Sequence, residues 1–444
     1  IQQDPGAFLS AINSYASRKG NLPIYLLIDE YDNFTNTILS TYGTEYYQKA
    51  THGEGFVRGF FNVIKAATTG TGSALQRMFI TGVSPVTMDD VTSGFNIGTN
   101  ITTDPWFNDL VGFSEAELRE MLTYYKEQGV LMQTVDETIV MMKPNYDNYC
   151  FSEEKLAQCM FNSDMALYFM KSFVLHHVKP KEIVDPNIRT DFNKLAYLIR
   201  LDHGLGENFS VIKEIAEQGE ITTDIATHFS ALEMTDVRNF KSLLFYFGLL
   251  SIKGVDMVGR PILHVPNLVV REQLFSFLIQ GYIKHDIFKI DMNRMTMLFE
   301  NMAFRGDWKP LFNFIAEAIR EQSRIREYIE GEAHIKGFLL AYLGMYRYYQ
   351  LYPEYELNKG FADFLFKPSP SVPVMPPLTY LLEVKYAKAG ASEKEIRALA
   401  DEAREQLLRY SQDELVAEAK AKGGLKLITI VWCSWELVLL EEVL

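Results

Sequence analysis

Cysteine is scarce in this sequence, and no apolar run is long enough to cross a membrane. The three cysteines among 444 residues include no CxxC pair, which argues against a disulfide framework and against a zinc ribbon. The longest apolar stretch, residues 427–440, contains Glu436 and is shorter than the roughly 20 residues of a membrane-spanning helix. We therefore expect a cytoplasmic protein without a membrane partner.

Basic residues are also too few to give broad attraction to nucleic acid. The chain carries 43 Lys and Arg against 57 Asp and Glu, a net charge of −14 at pH 7, whereas phosphate backbones attract positive surfaces. This deficit of basic residues is uneven along the chain. Residues 286–444 hold 20 basic and 24 acidic side chains, a net charge of −4, so the preceding residues carry the other −10. A nucleic-acid site in this last third would need a local basic groove or bound cations.

The first hundred residues alternate apolar strands with helical stretches. Residues 24–28 form a continuous apolar run that ends in Asp29 and Glu30, a pattern typical of a buried parallel strand. A helix predicted over residues 54–67 and a Gly/Thr-rich turn separate this run from a second strand, residues 77–81. This spacing predicts an α/β domain with a parallel sheet.

The middle of the chain, from residue 114 to about residue 283, has helical periodicity. It opens with Ser114 and Glu117 at the spacing of a capping box, which marks the start of a helix. A short strand pair is predicted near residues 249–265, around Gly254 and Gly259. We interpret this region as a helical connector or lid.

The last third returns to a mixed pattern. Helices are predicted over residues 311–328, 332–350 and 392–411, and strands over residues 353–358, 361–366, 379–385 and 425–433. The proline-rich segment 367–377 predicts a loop between two of these strands.

Charged residues interrupt two of the predicted strands. Glu383 and Lys385 lie two positions apart, so the alternation of side chains places them on one face. A hairpin across the proline-rich loop would bring Asp363 to this pair. Two carboxylates and a lysine suit phosphodiester hydrolysis, in which carboxylates bind Mg²⁺ and a lysine orients water and offsets charge.

The Glu-x-Lys pattern has a simpler explanation as well. It also occurs at Glu153/Lys155 and at Glu418/Lys420, both in helical contexts. A solvated edge strand with an ion pair would produce it too. The apolar strand around Glu383 and the upstream Asp363 favour a site over that alternative.

Gln406 falls on the face of helix 392–411 that is predicted to meet the core. Its row contains Leu399, Ala403, Gln406 and Tyr410, the spacing of a buried helical stripe. A glutamine in such a row needs hydrogen-bond partners. Either an active site or the backbone could supply them.

Five short segments of the last third follow one another in a characteristic order. They are Glu332-Ala-His334, Glu356, Gly360-Phe-Ala-Asp363, Glu383-Val-Lys385 and Gln406-Leu-Leu-Arg-Tyr410. This order resembles the PD-(D/E)XK nuclease domain that is fused to AAA-ATPase-like modules in bacterial proteins. The resemblance implies that Asp363 and Glu383 bind metal, that Lys385 is catalytic and that Gln406 supports the site.

Two of these positions, Glu332 and His334, can be explained without a role in catalysis, and one position, Phe361, departs from the family pattern. A helix cap explains Glu332, and a satisfied surface or core histidine explains His334, as readily as metal ligation does. Phe361 stands where the family more often has an arginine, which would contact substrate.

The first domain carries a second resemblance. Residues 25–32, Tyr-Leu-Leu-Ile-Asp-Glu-Tyr-Asp, resemble a Walker B strand, and residues 79–84 resemble the neighbouring sensor strand. The resemblance implies that Asp29 holds Mg²⁺ through water, that Glu30 activates the attacking water and that Thr81 is the polar tip. A buried strand that ends in an acidic turn is the alternative. The likeness to the AAA-ATPase-like family continues through residues 93–96, 100–105, 112–118, 145–151, 244–250 and 265–270.

The phosphate-binding loop of such a domain is missing from this sequence. No GxxxxGK[ST] segment occurs, and 28 residues precede Asp29, fewer than usually separate the two motifs. Because the sequence opens with Ile1, we expect the loop to lie upstream; otherwise the domain does not bind ATP. We do not expect these 444 residues to hydrolyse ATP by themselves.

The sequence thus predicts an α/β multidomain protein. Its parts are an incomplete AAA-like domain with a P-loop-type parallel sheet, a helical connector and a PD-(D/E)XK α/β nuclease fold, over residues 1–112, 113–285 and 286–444. The predicted function is Mg²⁺- or Mn²⁺-dependent cleavage of DNA or RNA, coupled to an ATP-driven switch if an upstream phosphate loop exists. The alternative is a regulatory or interaction module that responds to nucleotide without cleaving. A homo-oligomer is compatible with the sequence.

Overall fold

In the computed structural model, the described part of the chain forms two compact units. The description covers residues 5–20, 22–69, 73–91, 98–176, 180, 207–285, 287–322, 329, 331–358, 360–369, 372, 374–421 and 424–443. The first unit comprises Ile1–Leu131, Asp147–Asn208 and Thr222–Pro266, and the second comprises Met132–Tyr146, Phe209–Ile221 and Asn267–Leu444. The domain boundaries after residues 112 and 285 stay predictions.

A parallel strand pair opens the first unit, as predicted. Strand β1 (Ile24–Ile28) pairs with β2 (Leu75–Ile80). The helices around them are α1 (Pro5–Arg18), α2 (Asn33–Tyr42), α3 (Thr44–Thr51), α4 (Phe56–Thr69) and α5 (Val86–Val91). Helices α1 and α4 contact each other, and Leu9, Phe61 and Ile64 belong to the buried core that they share with β2.

Strand β1 is not the fully buried strand that its apolar run predicted. Tyr25 and Leu27 are 64% and 76% exposed, whereas Ile24, Leu26 and Ile28 pack against the core. Side chains alternate across a strand, so a core on one face leaves the other set in solvent. The unbroken apolar run therefore overstated the burial of this strand.

The middle of the chain is largely helical and contains one short hairpin, as predicted. Its elements are α6 (Glu115–Glu127), α7 (Val135–Tyr146), α8 (Ser163–His176), α9 (Glu207–Gln218), β3 (Glu220–Thr222), α10 (Val237–Tyr246), β4 (Ser251–Val255) and β5 (Pro261–His264). The capping box between Ser114 and Glu117 is formed at the start of α6. Strands β4 and β5 pair antiparallel.

A five-stranded mixed sheet forms the centre of the second unit. Its strands are β6 (Tyr349–Leu357), β7 (Gly360–Pro368), β8 (Thr379–Ala387), β9 (Leu425–Cys433) and β10 (Glu436–Val443), in the order β10-β9-β8-β7-β6. Strands β8 and β9 run parallel, and the other neighbours run antiparallel. The later helices of the unit are α11 (Leu268–Lys284), α12 (Met292–Arg305), α13 (Lys309–Glu321), α14 (Glu332–Leu343), α15 (Glu393–Tyr410) and α16 (Glu414–Ala421).

Helix α15 covers the face of the sheet that carries the predicted site. Leu381 of β8 packs with Leu407 and Tyr410 of α15 in one buried cluster. Because side chains alternate along β8, Glu383 and Lys385 share the face of Leu381. Contact between α15 and β8 therefore encloses the polar residues together with the apolar ones.

The largest differences between predicted and observed element boundaries lie in the second unit. Helix α14 ends at Leu343 rather than at 350, and β6 begins at Tyr349 rather than at 353. Helix α13 ends at Glu321, and residues 323–328 lie outside the described residues. Strand β10 was not predicted, because the apolar run 427–440 conceals a reversal of the chain at Ser434, where φ is +56°.

The helices also bear on the predicted absence of a membrane partner. In the part of the chain that the structure describes, no helix is both long and apolar enough to cross a bilayer.

Candidate active site

Pairing of β7 with β8 brings Asp363 to Glu383. Phe364 lies opposite Leu382 in this antiparallel ladder, so the next pair along it joins Asp363 to Glu383. The Asp363 Oδ2 atom accepts a hydrogen bond of 2.6 Å from the backbone N–H of Val384. The two carboxylates predicted to bind a metal therefore lie side by side, as the expected hairpin requires.

Both carboxylates are buried. Asp363 is 5% exposed and Glu383 is 2% exposed, and the Oε1 atom of Glu383 has no hydrogen-bond partner. Burial, and next the charge of Asp363, raise the pKa of Glu383 above its ordinary value. A buried carboxylate with a free oxygen beside a second carboxylate is an environment that favours a cation.

Lys385 lies on the same face as Glu383, as the alternation predicts. Its Nζ atom is 4.0 Å from Glu383 Oε2 and 3.1 Å from Glu402 Oε1 on α15. Burial lowers the pKa of Lys385, but the hydrogen bond to Glu402 and the charge of Glu383 outweigh this effect, so the pKa is raised overall. Lys385 is thus a protonated amine at neutral pH, held by a partner that was not predicted.

Gln406 lies on α15 but outside its most buried row. That row consists of Ala400, Ala403, Leu407 and Tyr410. Of the row predicted from the sequence, Ala403 and Tyr410 are buried, whereas Gln406 and Leu399 are half-buried and lie beside the buried row. The Oε1 atom of Gln406 is nevertheless enclosed and has no hydrogen-bond partner, so this side chain retains an acceptor for a group that enters the site.

Strand β9 adds a polar side chain that the sequence analysis missed. Thr429 pairs with Glu383 in the parallel ladder, and the threonine is 2% exposed. Its Oγ1 atom has no hydrogen-bond partner. The sequence feature that could have identified Thr429 is its position as a single polar residue within an apolar strand. Two unpartnered oxygens consequently lie on neighbouring strands of one sheet.

Lys336 of α14 is the second residue that the sequence analysis missed. Its Nζ atom contacts Asp363 Oδ1 and lies 2.9 Å from Glu332 Oε1 and 3.1 Å from Glu354 Oε1. Burial lowers the pKa of Lys336, yet the charges of Asp363 and Glu332 outweigh burial and raise it. The signal for it was a lysine one helical turn after a glutamate, within a helix that is otherwise apolar.

Glu354 reaches Lys336 from an unfavourable backbone conformation. Its φ is +43°, in the left-handed region that costs free energy for a residue other than glycine. The ladder between β6 and β7 runs regularly from Pro353 opposite Phe364 to Tyr355 opposite Ala362. Glu354 therefore lies beside Asp363, and the acidic row extends over three strands.

Gly360, the first residue of β7, allows α15 to pack closely against the start of this strand. A Cβ atom at this position would lie 2.7 Å from the Tyr410 Oη atom and 3.1 Å from an Arg409 guanidinium nitrogen. Phe361, at the position of the family's arginine, is 57% exposed. A guanidinium therefore lies next to this strand end, although it comes from α15 rather than from residue 361.

The remaining residues of the resemblance have different environments. Glu332 pairs with Lys336, His334 is half-buried, and Glu356 is exposed. Glu332 thus belongs to the acidic cluster, whereas Glu356 lies on the surface.

The donor set at this site fits a small divalent cation. Asp363 and Glu383 supply hard oxygen ligands, and Glu383 Oε1 is free to coordinate. Among the described residues, no group of three or more His, Cys, Asp or Glu side chains is arranged to hold a metal ion. Mg²⁺ commonly takes one or two carboxylates and keeps several waters, so two converging carboxylates meet its requirement.

The predicted nucleotide residues of the first unit also meet. Thr81 Oγ1 donates a hydrogen bond of 2.5 Å to Asp29 Oδ1, and the Glu30 N–H donates one of 3.3 Å to Thr81 Oγ1. Parallel pairing of β1 with β2 produces this arrangement, because their carboxyl ends lie at one edge. Asp29 and Glu30 are exposed, and the φ of Glu30 is +51°.

Asp32 has a structural role beside this group. It is fully buried and accepts hydrogen bonds from the backbone N–H groups of Val83 and Ser84 at 3.0 and 3.1 Å. Its carboxylate thereby joins the segment after β1 to the segment after β2. Residues 93–96, which contributed to the resemblance, lie outside the described residues.

Comparison with known proteins gives two partial matches. Residues 330–442 match the family model of the PD-(D/E)XK nuclease superfamily. Residues 2–92 match the family model described as Predicted AAA-ATPase. No curated protein matches the chain, and no solved structure matches it.

Proposed function

We propose that this chain, which carries an AAA-ATPase-like domain and a PD-(D/E)XK nuclease superfamily domain, cleaves nucleic-acid phosphodiester bonds with the second of these. The observation that carries the proposal is the buried pair Asp363 and Glu383, with a free Glu383 oxygen and Lys385 on the same face. An ion pair on a solvated edge strand, the simpler alternative, would be neither central in the sheet nor buried.

PD-(D/E)XK nucleases generally use divalent metal ions, and Asp363 and Glu383 would hold one here. When bound, such a cation polarises the scissile phosphate and lowers the pKa of a bound water. The choice between Mg²⁺ and Mn²⁺ is part of the proposal, as is the choice between DNA and RNA. Hard carboxylate ligands accept either cation.

Lys385 would act on the water and on the charge of the phosphate. Its ammonium lies 4.0 Å from Glu383, so a water between substrate and carboxylate comes within reach of Nζ. Because Glu402 accepts a hydrogen bond from Nζ at 3.1 Å, the amine stays protonated and in place. A fixed positive charge stabilises the negative charge that develops during phosphodiester cleavage.

Lys336 would keep the acidic row together before substrate arrives. Its contacts with Asp363, Glu332 and Glu354 place one ammonium among three carboxylates. Without this charge, burial of Asp363 beside Glu383 would be unfavourable. Lys336 and a bound cation therefore share the task of compensating Asp363.

The AAA-like domain would couple nucleotide state to this activity. We propose Asp29, Glu30 and Thr81 as nucleotide-site residues, because their hydrogen bonds gather them at one edge of the parallel strands. Coupling requires a phosphate-binding loop, and the 444 residues contain no GxxxxGK[ST] segment. ATP hydrolysis is therefore proposed only for a chain that includes such a loop.

A regulatory module that does not cleave is the second candidate function. It is supported by the ion pair of Lys336 with Asp363 and by the exposed Phe361 in place of an arginine. If the Lys336 ammonium stayed bound to Asp363, this carboxylate could not bind a catalytic metal ion.

The test combines cleavage with cation binding. Single- and double-stranded DNA and RNA would be incubated with the chain in Mg²⁺, Mn²⁺ or chelator, and Mn²⁺ binding would be measured by calorimetry. We expect Glu383→Gln to weaken Mn²⁺ binding and cleavage together, whereas Glu405→Gln, at an exposed site on α15, retains both. Mn²⁺ binding without cleavage of any substrate would favour the regulatory function. Cleavage that survives in chelator would contradict the proposed site.

A further inference from the structure

Two cysteines of the first unit face each other across a short antiparallel pairing. Tyr149 and Met160 form a β-bridge, in which the Tyr149 N–H donates to the Met160 carbonyl at 3.1 Å and the Met160 N–H donates to the Tyr149 carbonyl at 2.7 Å. The next pair along this register is Cys150 and Cys159. In a regular antiparallel pairing, a pair at this position has no mutual backbone hydrogen bonds, its Cα atoms lie about 4.5 Å apart, and its two side chains point to the same side.

This spacing suits a disulfide. Protein disulfides join Cα atoms that are roughly 4.4–6.8 Å apart, so oxidation needs no large backbone movement at this pair. A hydrogen bond with the Cys159 thiol, against the opposing effect of burial, lowers the pKa of the Cys150 thiol to about 7, which agrees with the proximity that the register implies. Both cysteines are reduced in this structure.

The loop between the two cysteines is held in place by a neighbouring side chain. The Asn108 Oδ1 atom accepts hydrogen bonds from the backbone N–H groups of Phe151 and Ser152 at 2.9 and 3.1 Å. The Asn108 Nδ2 group donates to the Gln158 carbonyl at 2.9 Å. Both ends of the loop are therefore fixed, which keeps the two thiols opposite each other.

The two sulfurs differ in access to solvent. Cys150 is fully buried, and its thiol donates to the Ser152 carbonyl at 3.2 Å. Cys159 is half-buried, so an oxidant from solution reaches Cys159 first. An accessible thiol beside a nucleophilic buried one is the arrangement of a reactive and a resolving cysteine.

We propose that Cys150 and Cys159 form a reversible intramolecular disulfide when the protein meets a peroxide. The Cys159 thiol attacks the peroxide, which releases an alcohol or water and leaves a sulfenic acid on Cys159. The Cys150 thiolate then attacks that sulfur, the S–S bond forms, and the sulfenic oxygen leaves as water after taking up a proton. The two thiols together lose two electrons and two protons, and a small dithiol restores them.

The test uses the full chain, first reduced and then freed of reductant. Hydrogen peroxide would be added, the reaction quenched in acid, and remaining thiols alkylated with iodoacetamide in guanidinium before peptide mass spectrometry. We expect the number of alkylated cysteines to fall from the three in the sequence to Cys433 alone. A peptide linking Cys150 to Cys159 should appear, with about 2 Da lost from the reduced mass. Dithiothreitol should restore all of the thiols.

Two variants make the result specific. Cys433→Ser, at a cysteine of the second unit, should form the same linked peptide. Cys159→Ser, which leaves the buried Cys150 in place, should form none, and its Cys150 should remain alkylatable. Full alkylation of the three cysteines after peroxide would overturn the proposal. Linkage only through Cys433, or only between two chains, would overturn it as well.

Discussion

Two groups of acidic residues, one in each unit, differ in their exposure to solvent and in the charges that surround them. After β1, Asp29 and Glu30 are exposed; the Thr81 hydroxyl donates to the Asp29 carboxylate and accepts a hydrogen bond from the Glu30 backbone N–H. Across β7 and β8, Asp363 and Glu383 are buried, with Lys336 and Lys385 close by. Water screens the first group, whereas protein charges must compensate the second.

The difference shows which group depends on cations. Solvent hydrates the exposed carboxylates of the first group, so the fold around them does not depend on a bound ligand. In the second group, burial, and next the repulsion from Asp363, raise the pKa of Glu383. Only the second group is therefore expected to change markedly in stability when a cation binds or a lysine is removed.

The largest expected effect comes from Lys385→Ala. If the lysine positions water and offsets charge, cleavage should fall by roughly 10² or more, while Mn²⁺ binding measured by calorimetry stays within about threefold of wild type. Lys388→Ala, at an exposed position just beyond β8, provides the control. Equal cleavage rates for Lys385→Ala and wild type would show that the activity comes from elsewhere.

Lys336→Met should affect stability more than Lys385→Ala does. It leaves Asp363 without its ammonium partner, a change that costs on the order of 3 kcal/mol when the group is buried. Urea unfolding without divalent cations measures this loss, and Mn²⁺ should recover more stability in the variant than in wild type. Lys367→Met, an exposed site on β7, should unfold like wild type. If Lys336→Met binds Mn²⁺ more weakly than wild type, the Lys336 ammonium and the bound Mn²⁺ do not both compensate the charge of Asp363.

The raised pKa of Glu383 predicts a pH dependence of stability without metal. A carboxyl whose folded pKa lies above its unfolded value, 4.5, stabilises the fold while it is protonated. That contribution is fully present below pH 4.5 and is lost as pH rises through the raised pKa. Urea unfolding in chelator should show this decline, and Glu383→Gln should flatten it. A decline of the same size in Glu383→Gln would assign it to another group.

The smallest effect is expected in the first unit. Thr81→Val removes the hydroxyl that donates to the exposed Asp29 carboxylate and accepts from the Glu30 N–H. Because both groups can bond to water instead, the loss should cost about 1 kcal/mol, and it should leave cleavage unchanged in the absence of nucleotide. Thr102→Val, at an exposed threonine, is the comparison for stability. Calorimetry of the 444-residue chain should detect no tight ATP binding. Tight, Mg²⁺-dependent binding would mean that another segment holds the phosphates.

Local patterns predicted most of the strands and the pairing of their polar residues, although not β10. Strands β1 and β9 have the predicted limits, and β8 differs only in that it extends to Ala387. The shared face of Glu383 and Lys385 follows from alternation alone. Asp363 joined them because β7 and β8 are neighbours along the chain.

Other features depend on packing that no local pattern records. Lys336 meets Asp363 because α14 packs near the sheet, and that pair is separated by 27 residues. The exposure of Leu27 depends on which face of β1 the helices cover. Ala403 and Tyr410 are buried as predicted, whereas Gln406 lies beside the buried row, because one stripe of apolar residues does not fix the exact helical phase.

Gly360 has no side chain, and this allows close packing of α15 against β7 at a position that is not itself one of the proposed site residues. Even one methyl group there would meet the Tyr410 ring system, because the ideal Cβ lies 2.7 Å from it. To relieve that contact, the Tyr410 and Arg409 side chains or α15 itself must shift, and α15 also carries Gln406 and Glu402. We therefore expect Gly360→Ala to change how Gln406 and Glu402 are positioned against the sheet without removing any carboxylate or lysine of the proposed site.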